Sequence, residues 1–318
     1  MPSTHPTITT QGGLLPAEFL AALLDGLGKD KIPGLKPSDY HLPGSEKPSE
    51  AINRAWNYLR GRWEDFHNLA DGLTKAEPGT GKTRDAFLLP LFRELGYGQL
   101  EKATLREIDG REYPVSHHYG ATPIHLLGVN VEIDRRNPGI PGAAKMSPHA
   151  MVQEFLNRSD DNLWAFLTNG YRLRILRDNV SLTRQAFIEF DLFQMFENGE
   201  YADFQLLWLL CHQSRVEGTP PETCWLEKWV GEAKQRGVRM LEGLRSGVEQ
   251  AINELGAGFL AWPGNADLRA RLSSRELTTQ DYYRQVLRIV YRLIFLFVAE
   301  DRDLLLDPNA PAEARERS

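Results

Sequence analysis

Cysteine is nearly absent. Cys211 and Cys224 are the only two in 318 residues, and they lie among apolar neighbours without the paired spacing of a metal site or a disulfide framework, which fits a reducing cytosol. Positive charge is not in excess either: 37 Lys and Arg against 43 Asp and Glu leave a formal net charge of −6. No global positive field therefore marks nucleic acid or acidic membrane as a partner, and only a local basic patch could serve one. Long apolar runs are lacking as well. The most apolar stretch, Val286 to Ala299, contains Arg288 and Arg292, falls short of the roughly 20 residues that cross a bilayer, and reads as a buried helix. The opening MPSTHPTITT has neither the basic start nor the apolar core of a signal peptide. Together these absences predict a cytoplasmic chain with no membrane partner.

What is present suffices for a substantial core and for two domains. The segment Leu163 to Asp191 organises the rest. Alternating runs at Trp164–Phe166 and Leu173–Ile175 flank Asn169-Gly170, a dipeptide suited to a type I′ hairpin turn. A third run, Gln185 to Phe190, alternates again after a Ser181–Thr183 connection, predicting a three-stranded meander with one apolar face. Such a sheet needs covering helices, so the fold class is α/β (α+β).

Residues 1–50 read as an arm with one short helix at Pro16–Leu27. From Ser49 the apolar residues Ile52, Trp56, Leu59, Trp63 and Phe66 recur at helical steps, and Trp225 and Trp229 repeat that spacing as further core. A second helix, Arg84–Leu95, ends at Gly96-Tyr97-Gly98 in the manner of a glycine cap. Strands are predicted at Glu112–Ser116 and Pro123–Ile133, and a helix at Ser147–Leu156. After Asp191 strand signals disappear and helices are predicted at Phe204–Val216, Trp225–Leu244, Val248–Leu255 and Asp281–Leu306, with a polar turn at Glu197–Glu200 that marks a boundary near 196–202. The predicted organisation is an α/β domain at 51–196, an all-α connector at 197–307 and a polar tail at 308–318, the front part of a longer protein.

Three groups of residues could carry chemistry. Ala76–Thr83, AEPGTGKT, fits a loose Walker A pattern, in which Lys82 would meet phosphate and Thr83 magnesium. The residues before it form no buried strand, so the competing reading is a polar loop whose Thr83 caps the next helix. Glu132 and Asp134 stand at the end of the predicted 123–133 strand, on one side of it by the period of two. A magnesium-dependent PD-(D/E)XK nuclease needs a lysine two residues after its glutamate, where this chain has Asp134, and an upstream aspartate that residues 117–122 lack. Glu132 would be the metal ligand of such a degenerate centre. His117, His118 and His125 read as solvated or hydrogen-bonded rather than as ligands, since no fourth ligand accompanies them. Arg135, Arg136, Arg172, Arg174, Arg177 and Arg184 are candidate phosphate contacts, with solvated surface positions as the alternative.

Several segments resemble one family. TRDAFLLPLFRELGYGQL, SPHAMVQEFLNRSDDNLWAFLTNGYRLRILRDNVSL and YYRQVLRIVYRLIFLFVAEDRDLLL are similar to the N-terminal region of large single-chain bacterial DNA adenine methyltransferases. These are relatives of type IIG and IIL restriction-modification enzymes and of BREX and DISARM phage-defence methyltransferases. The resemblance spans about Ala51 to Pro308. It implies a PD-(D/E)XK nuclease-like mixed sheet with covering helices, then an all-α connector leading to an adenine-N6 methyltransferase domain. That domain would bind S-adenosylmethionine and flip its target base. This chain holds no Asn-Pro-Pro-aromatic motif, so the resemblance implies a non-methylating fragment that engages DNA or positions domains. It would hold no cofactor of its own, and Mg²⁺ only were the nuclease centre active. The implied partners are DNA, the C-terminal methyltransferase domain and other phage-defence proteins.

Overall fold

The arm contributes more than its composition predicts. In the computed structural model, which describes residues 5–29, 32–104, 106–140, 143–178, 186–302 and 304–305, Ile8–Gln11 forms an edge strand, β1. Its sequence ITTQ has no apolar alternation to reveal it. The buried Asp203 fixes the segment instead, accepting from Thr7 N (2.9 Å) and Thr7 Oγ1 (2.6 Å) and bonding His5 Nδ1 (2.8 Å). The short helix follows as α1 (Ala17–Gly26). Arg215, fully buried, donates to Gly34 O (2.7 Å) and to Asp39 O. Its guanidinium lies 3.8 Å from the centre of the Tyr40 ring, so the arm is a cover bound into the core.

The helix expected from Ser49 is α2 (Pro48–Asp71), with Pro48 in its first turn and the Glu50 carboxylate accepting from Lys47 N at 2.9 Å. Its buried stripe includes Ile52, Trp56, Leu59, Trp63 and Phe66, as the spacing predicts. The next helix is continuous through α3 (Thr80–Thr83), a π turn at Arg84–Leu88, α4 (Leu89–Phe92) and a second π turn at Arg93–Tyr97. Pro90 lacks an N–H and crowds the carbonyl one turn back. The Ala86 carbonyl accepts from Arg62 Nη2 at 2.8 Å instead. Gly96, at φ 85°, ends the helix as expected of a glycine cap.

The strands are β2 (Glu101–Lys102), β3 (Arg106–Ile108), β4 (Arg111–Tyr113), β5 (His117–Tyr119) and β6 (Thr122–Leu126). After helix α5 (Pro148–Arg158), capped by Ser147, come β7 (Trp164–Thr168), β8 (Arg172–Arg177) and β9 (Phe187–Asp191). Seven of them make one mixed sheet, ordered β1-β9-β8-β7-β6-β5-β2, while β3 and β4 pair separately. The expected meander is β7-β8-β9, antiparallel throughout. β6 and β7 are parallel, Ile124 opposite Phe166, with α5 as the crossover.

Both faces of the meander are covered, not one. Phe166, Leu173, Ile175, Ile188 and Phe190 join the core that includes α2, while Ala165, Leu167, Leu176 and Phe187 pack with Met151, Val152 and Phe155 of α5. The hairpin turn also differs from type I′. Gly170 alone has positive φ, 91°, and the Asn169 side chain closes the turn by accepting from Tyr171 N (3.1 Å) and Arg172 N (2.9 Å).

Helices α6 (Leu192–Glu197) and α7 (Tyr201–Cys211) and the first turns of α8 (Trp225–Ala261) complete this unit, which runs from Pro2 to Ala233. The boundary expected near 196–202 falls inside it, because Phe204, Leu207, Trp208 and Trp229 share the main core. Trp225 is partly exposed; the other three tryptophans assigned to the core are buried.

The second unit runs from Lys234 to Ser318 and is helical where described, as expected. It contains the remainder of α8, then α9 (Ala266–Ser273) and α10 (Thr279–Asp301). Thr278 caps α10, and Tyr282 donates to Gly256 O at 2.6 Å. Its core is Ile252, Val286 and Val290. The buried helix expected at 286–299 is only partly buried, with Phe295 72% exposed, because packing against one helix covers a single stripe. No helix among the described residues is long and apolar enough to cross a membrane.

Candidate nucleic-acid interface

The strand predicted over 123–133 stops at Leu126, and this places the candidate residues on a loop. Leu127 N still reaches Thr168 O (2.8 Å), but Gly128 lies so close to the loop before α3 that a Cβ there would sit 1.9 Å from Pro78 O. The chain then turns, with Val131 N bonding Gly128 O (3.0 Å). Beyond it, Asn137 folds the segment on itself: its Oδ1 accepts from Glu132 N (3.0 Å), and its Nδ2 donates to the carbonyls of Glu132 (2.9 Å) and Arg135 (2.7 Å). Glu132 and Asp134 are thus not held by strand alternation.

The loop and the β7–β8 turn line a groove of about 560 Å³. It lies past the carboxyl ends of the parallel pair β6 and β7, where open α/β sheets commonly bind ligands. Glu132, Asp134, Arg135 and Arg172 all line it, so four sequence-predicted residues meet here. Glu132 and Arg135 are exposed and 3.3 Å apart; Arg136 is exposed beside them. Arg172, half exposed, reaches Glu189 at 3.3 Å.

Asp134 is occupied by Arg174. Its two oxygens accept from Arg174 Nη1 (2.5 Å) and Nη2 (2.7 Å), and these bonds hold the carboxyl below the usual carboxylate range. The buried Arg174 also donates to Glu189 and, at 3.0 Å, to His149 Nδ1, and its guanidinium lies 4.6 Å from the centre of the Phe187 ring. Burial opposes the Arg174 charge, but the two carboxylates outweigh it and raise its pKa. Arg177 forms a bidentate pair with Glu227, 2.6 and 2.9 Å. The structure therefore places Arg174 and Arg177 in ion pairs of the scaffold and Arg135, Arg136 and Arg172 where solvent reaches them. Arg184, the Ser181–Thr183 connection and the 308–318 tail lie outside the described residues.

These carboxylates do not fit a magnesium centre. Asp134 has its charge matched by Arg174 and Glu132 lies against Arg135, whereas a hard divalent ion needs several free oxygens at octahedral positions. Among the described residues no three His, Cys, Asp or Glu side chains gather to hold a metal. No protein-family model, curated protein or solved structure matches this chain.

The Walker-like loop braces the groove from behind. Helix, not strand, precedes it; Gly79, at φ 69°, starts α3, and Lys82 points to solvent. Thr83 does not cap the helix. It is fully buried, and its Oγ1 accepts from Val129 N at 3.0 Å. Asn130 Nδ2 donates to Thr74 O (3.0 Å) and Glu77 O (2.8 Å) from the other side. Thr83→Val, which strands the Val129 amide, is expected to cost about 1–3 kcal/mol in urea unfolding. Lys82→Ala should stay within about 0.5 kcal/mol of the parent; equal losses would contradict this division of roles.

Of the three histidines, His117 bonds Ser116 Oγ through Nδ1 (2.9 Å) and His118 is partly exposed beside Glu101, as the solvated or hydrogen-bonded reading expects, while His125 is neither. His117 and His125 are buried, and among the described residues neither ring nitrogen of His125 has a hydrogen-bond partner. Burial, with the Arg84 cation nearby, pushes His117 down to about 4 and His125 to about 3. Arg84 itself caps the truncated strand, donating through Nε (3.1 Å) and Nη2 (2.6 Å) to Leu126 O. Sequence reading overlooked Arg84, Asn137 and His149. An isolated asparagine before Pro-Gly was the only visible signal among them, since Asn favours turns.

Proposed function

We propose that this chain is the amino-terminal part of a restriction-modification or phage-defence adenine-N6 methyltransferase, in which a nuclease-like domain engages DNA or positions other domains without cutting. The reading rests first on the resemblance of the quoted segments. The observation that favours engagement over cleavage is the pairing of Asp134 with Arg174, which leaves Glu132 without a second free carboxylate. A mixed sheet with one crossover-linked parallel pair, and carboxylates on the loop beyond it, is consistent with a nuclease-like scaffold whose centre has decayed. The solvent-reached Arg135, Arg136 and Arg172 can meet phosphate oxygens in bidentate fashion despite the net negative charge of the chain. In this reading S-adenosylmethionine belongs to the parent enzyme's catalytic domain.

The purified chain is expected to retard duplex DNA at low salt, with affinity falling steeply as salt rises. The double variant Arg135→Gln/Arg136→Gln should weaken binding at every sequence and lower the salt slope by about 2. Plasmid incubated with Mg²⁺ should remain intact. Cleavage that disappears in Glu132→Ala would establish an active endonuclease instead, and salt-independent or absent DNA binding would leave a module for docking other defence proteins. ATP-dependent stabilisation lost in Lys82→Ala would support a nucleotide-binding module.

A further inference from the structure

A smaller cavity, about 260 Å³, shares no lining residue with the groove. Leu42, Ala51 and Trp208 form its apolar walls, and Arg93, Glu94 and His212 bring polar groups to it. The hydrogen bonds of His212 determine which of its nitrogens carries the proton. Ser214 N–H donates to His212 Nδ1 at 3.3 Å. Ser214 Oγ accepts from Arg215 Nε (3.1 Å) and Nη2 (2.9 Å), so its own hydrogen also goes to Nδ1, 2.9 Å away. Nδ1 is an acceptor twice over, and the neutral imidazole must carry its hydrogen on Nε2.

Gly96 keeps that N–H uncovered. A Cβ at this position would lie 2.7 Å from His212 Nε2, and Gly96 lines the same cavity. Of the two arginines at the cavity, Arg54 is paired with Glu46, whereas Arg93 forms no ion pair among the described residues. Glu94 is close enough to both guanidiniums for them to oppose the upward push of burial on its carboxyl. Among the described residues the cavity thus offers one cation without an ion pair, one carboxylate, one neutral N–H donor and an apolar wall, in a volume just below the roughly 300 Å³ at which drug-sized ligands begin to fit.

We propose that this cavity binds a small zwitterion, a free α-amino acid with an apolar side chain. Its carboxylate accepts from Arg93 and His212 Nε2–H, its ammonium meets Glu94, and its side chain lies on Leu42, Ala51 and Trp208. A bare anion is disfavoured by Glu94 and a bare cation by Arg93, so the ligand must carry both charges. This inference uses no residue of the DNA-facing groove and stands apart from that reading.

The test is titration of the full chain with L-leucine, followed by calorimetry and by the ¹⁵N shift of the His212 side chain. Saturable binding with a dissociation constant on the order of 1 mM or tighter is expected, with acetate and butylamine each weaker by about tenfold or more. Arg93→Gln and Glu94→Gln, neither in the buried core, should each weaken leucine by about tenfold while leaving the circular dichroism of the chain unchanged. Acetate binding as tightly as leucine would overturn the proposal in favour of a plain anion site. Absence of saturable binding, or affinity unmoved by either substitution, would overturn it outright.

Discussion

Acidification from about pH 7.5 to about pH 5 is expected to remove most of the stability of the Pro2–Ala233 unit. Four buried histidines have folded-state values pushed below the ordinary 6.5: His117 and His149 to about 4, His125 and His212 to about 3. Burial is the leading cause in each, reinforced by the Arg84, Arg174 or Arg215 cation. The unfolded chain therefore takes up protons first. The stability these neutral rings supply is complete above about pH 6.5 and is lost as the pH falls from there toward the folded values. His149 shows the local cause: its Nδ1 accepts from Arg174, so a proton on Nδ1 would face a guanidinium.

Each ring should lose on the order of 2 kcal/mol by pH 5, and four together about 8, against a total domain stability of roughly 5–15 kcal/mol. Urea unfolding by tryptophan fluorescence at a series of pH values measures this. Stability that stays flat between about pH 7 and pH 5 would refute it. His125→Leu sharpens the test, because among the described residues neither ring nitrogen has a partner to lose. That variant should match the parent at neutral pH and exceed it by about 2 kcal/mol at pH 5. Asp134 contributes in a different window: Arg174 lowers its folded pKa, so its share persists through mild acid and disappears only as the pH falls through the folded value.

Arg174→Ala should cost about 3–5 kcal/mol, the usual penalty for breaking a buried pair. The guanidinium is 4% exposed and serves Asp134, Glu189 and His149 at once. Its removal leaves the largely buried Glu189 carboxylate, among the described residues, with only the longer ion pair to Arg172 and empties the space over Phe187. The comparison is with Arg174→Met/Asp134→Asn/Glu189→Gln, which removes both charges along with the cation and should recover most of the loss. Denaturant midpoints at neutral pH report both. A loss under about 1 kcal/mol in the single variant would mean that this network does not hold the groove loop to the sheet.

The parts of the fold legible in the sequence are those with a local period. The 24-residue α2 follows from Ile52, Trp56, Leu59, Trp63 and Phe66, and the β7–β8–β9 meander from strict alternation around Asn169-Gly170. Alternation did not predict that both faces would be covered, since Ala165, Leu167 and Leu176 lie opposite the face used to infer the sheet. Apolar β-branched residues at 129–133 imitated a strand because Val and Ile suit pleated surfaces. What ends β6 is the approach of Gly128 to Pro78, fifty residues earlier in the chain, and no property of the run itself.

The candidate groove divides in the same way. The types of Glu132, Asp134, Arg135 and Arg172 and the adjacency of the first three were plain in the sequence; that Arg172, from the hairpin, joins them in one groove was decided by the fold. Which of the arginines remain available was not plain, because an arginine in a strand reads alike whether it faces solvent or a buried carboxylate. Arg174 finds Asp134 across 40 residues, and Thr83 finds the Val129 amide across 46.

By itself, then, the sequence determined the longer helices, the meander and the place of its turn, and the helical character of the C-terminal residues. Each of these follows from side-chain period and from backbone preference within a few residues. Only the tertiary structure decided that ITTQ is a strand, that the lysine loop is a brace, and which charged groups are bound to one another. Those outcomes depend on hydrogen bonds and ion pairs between segments far apart in the chain, such as Thr7 with Asp203, 196 residues away, and nothing in the local sequence of either partner encodes them.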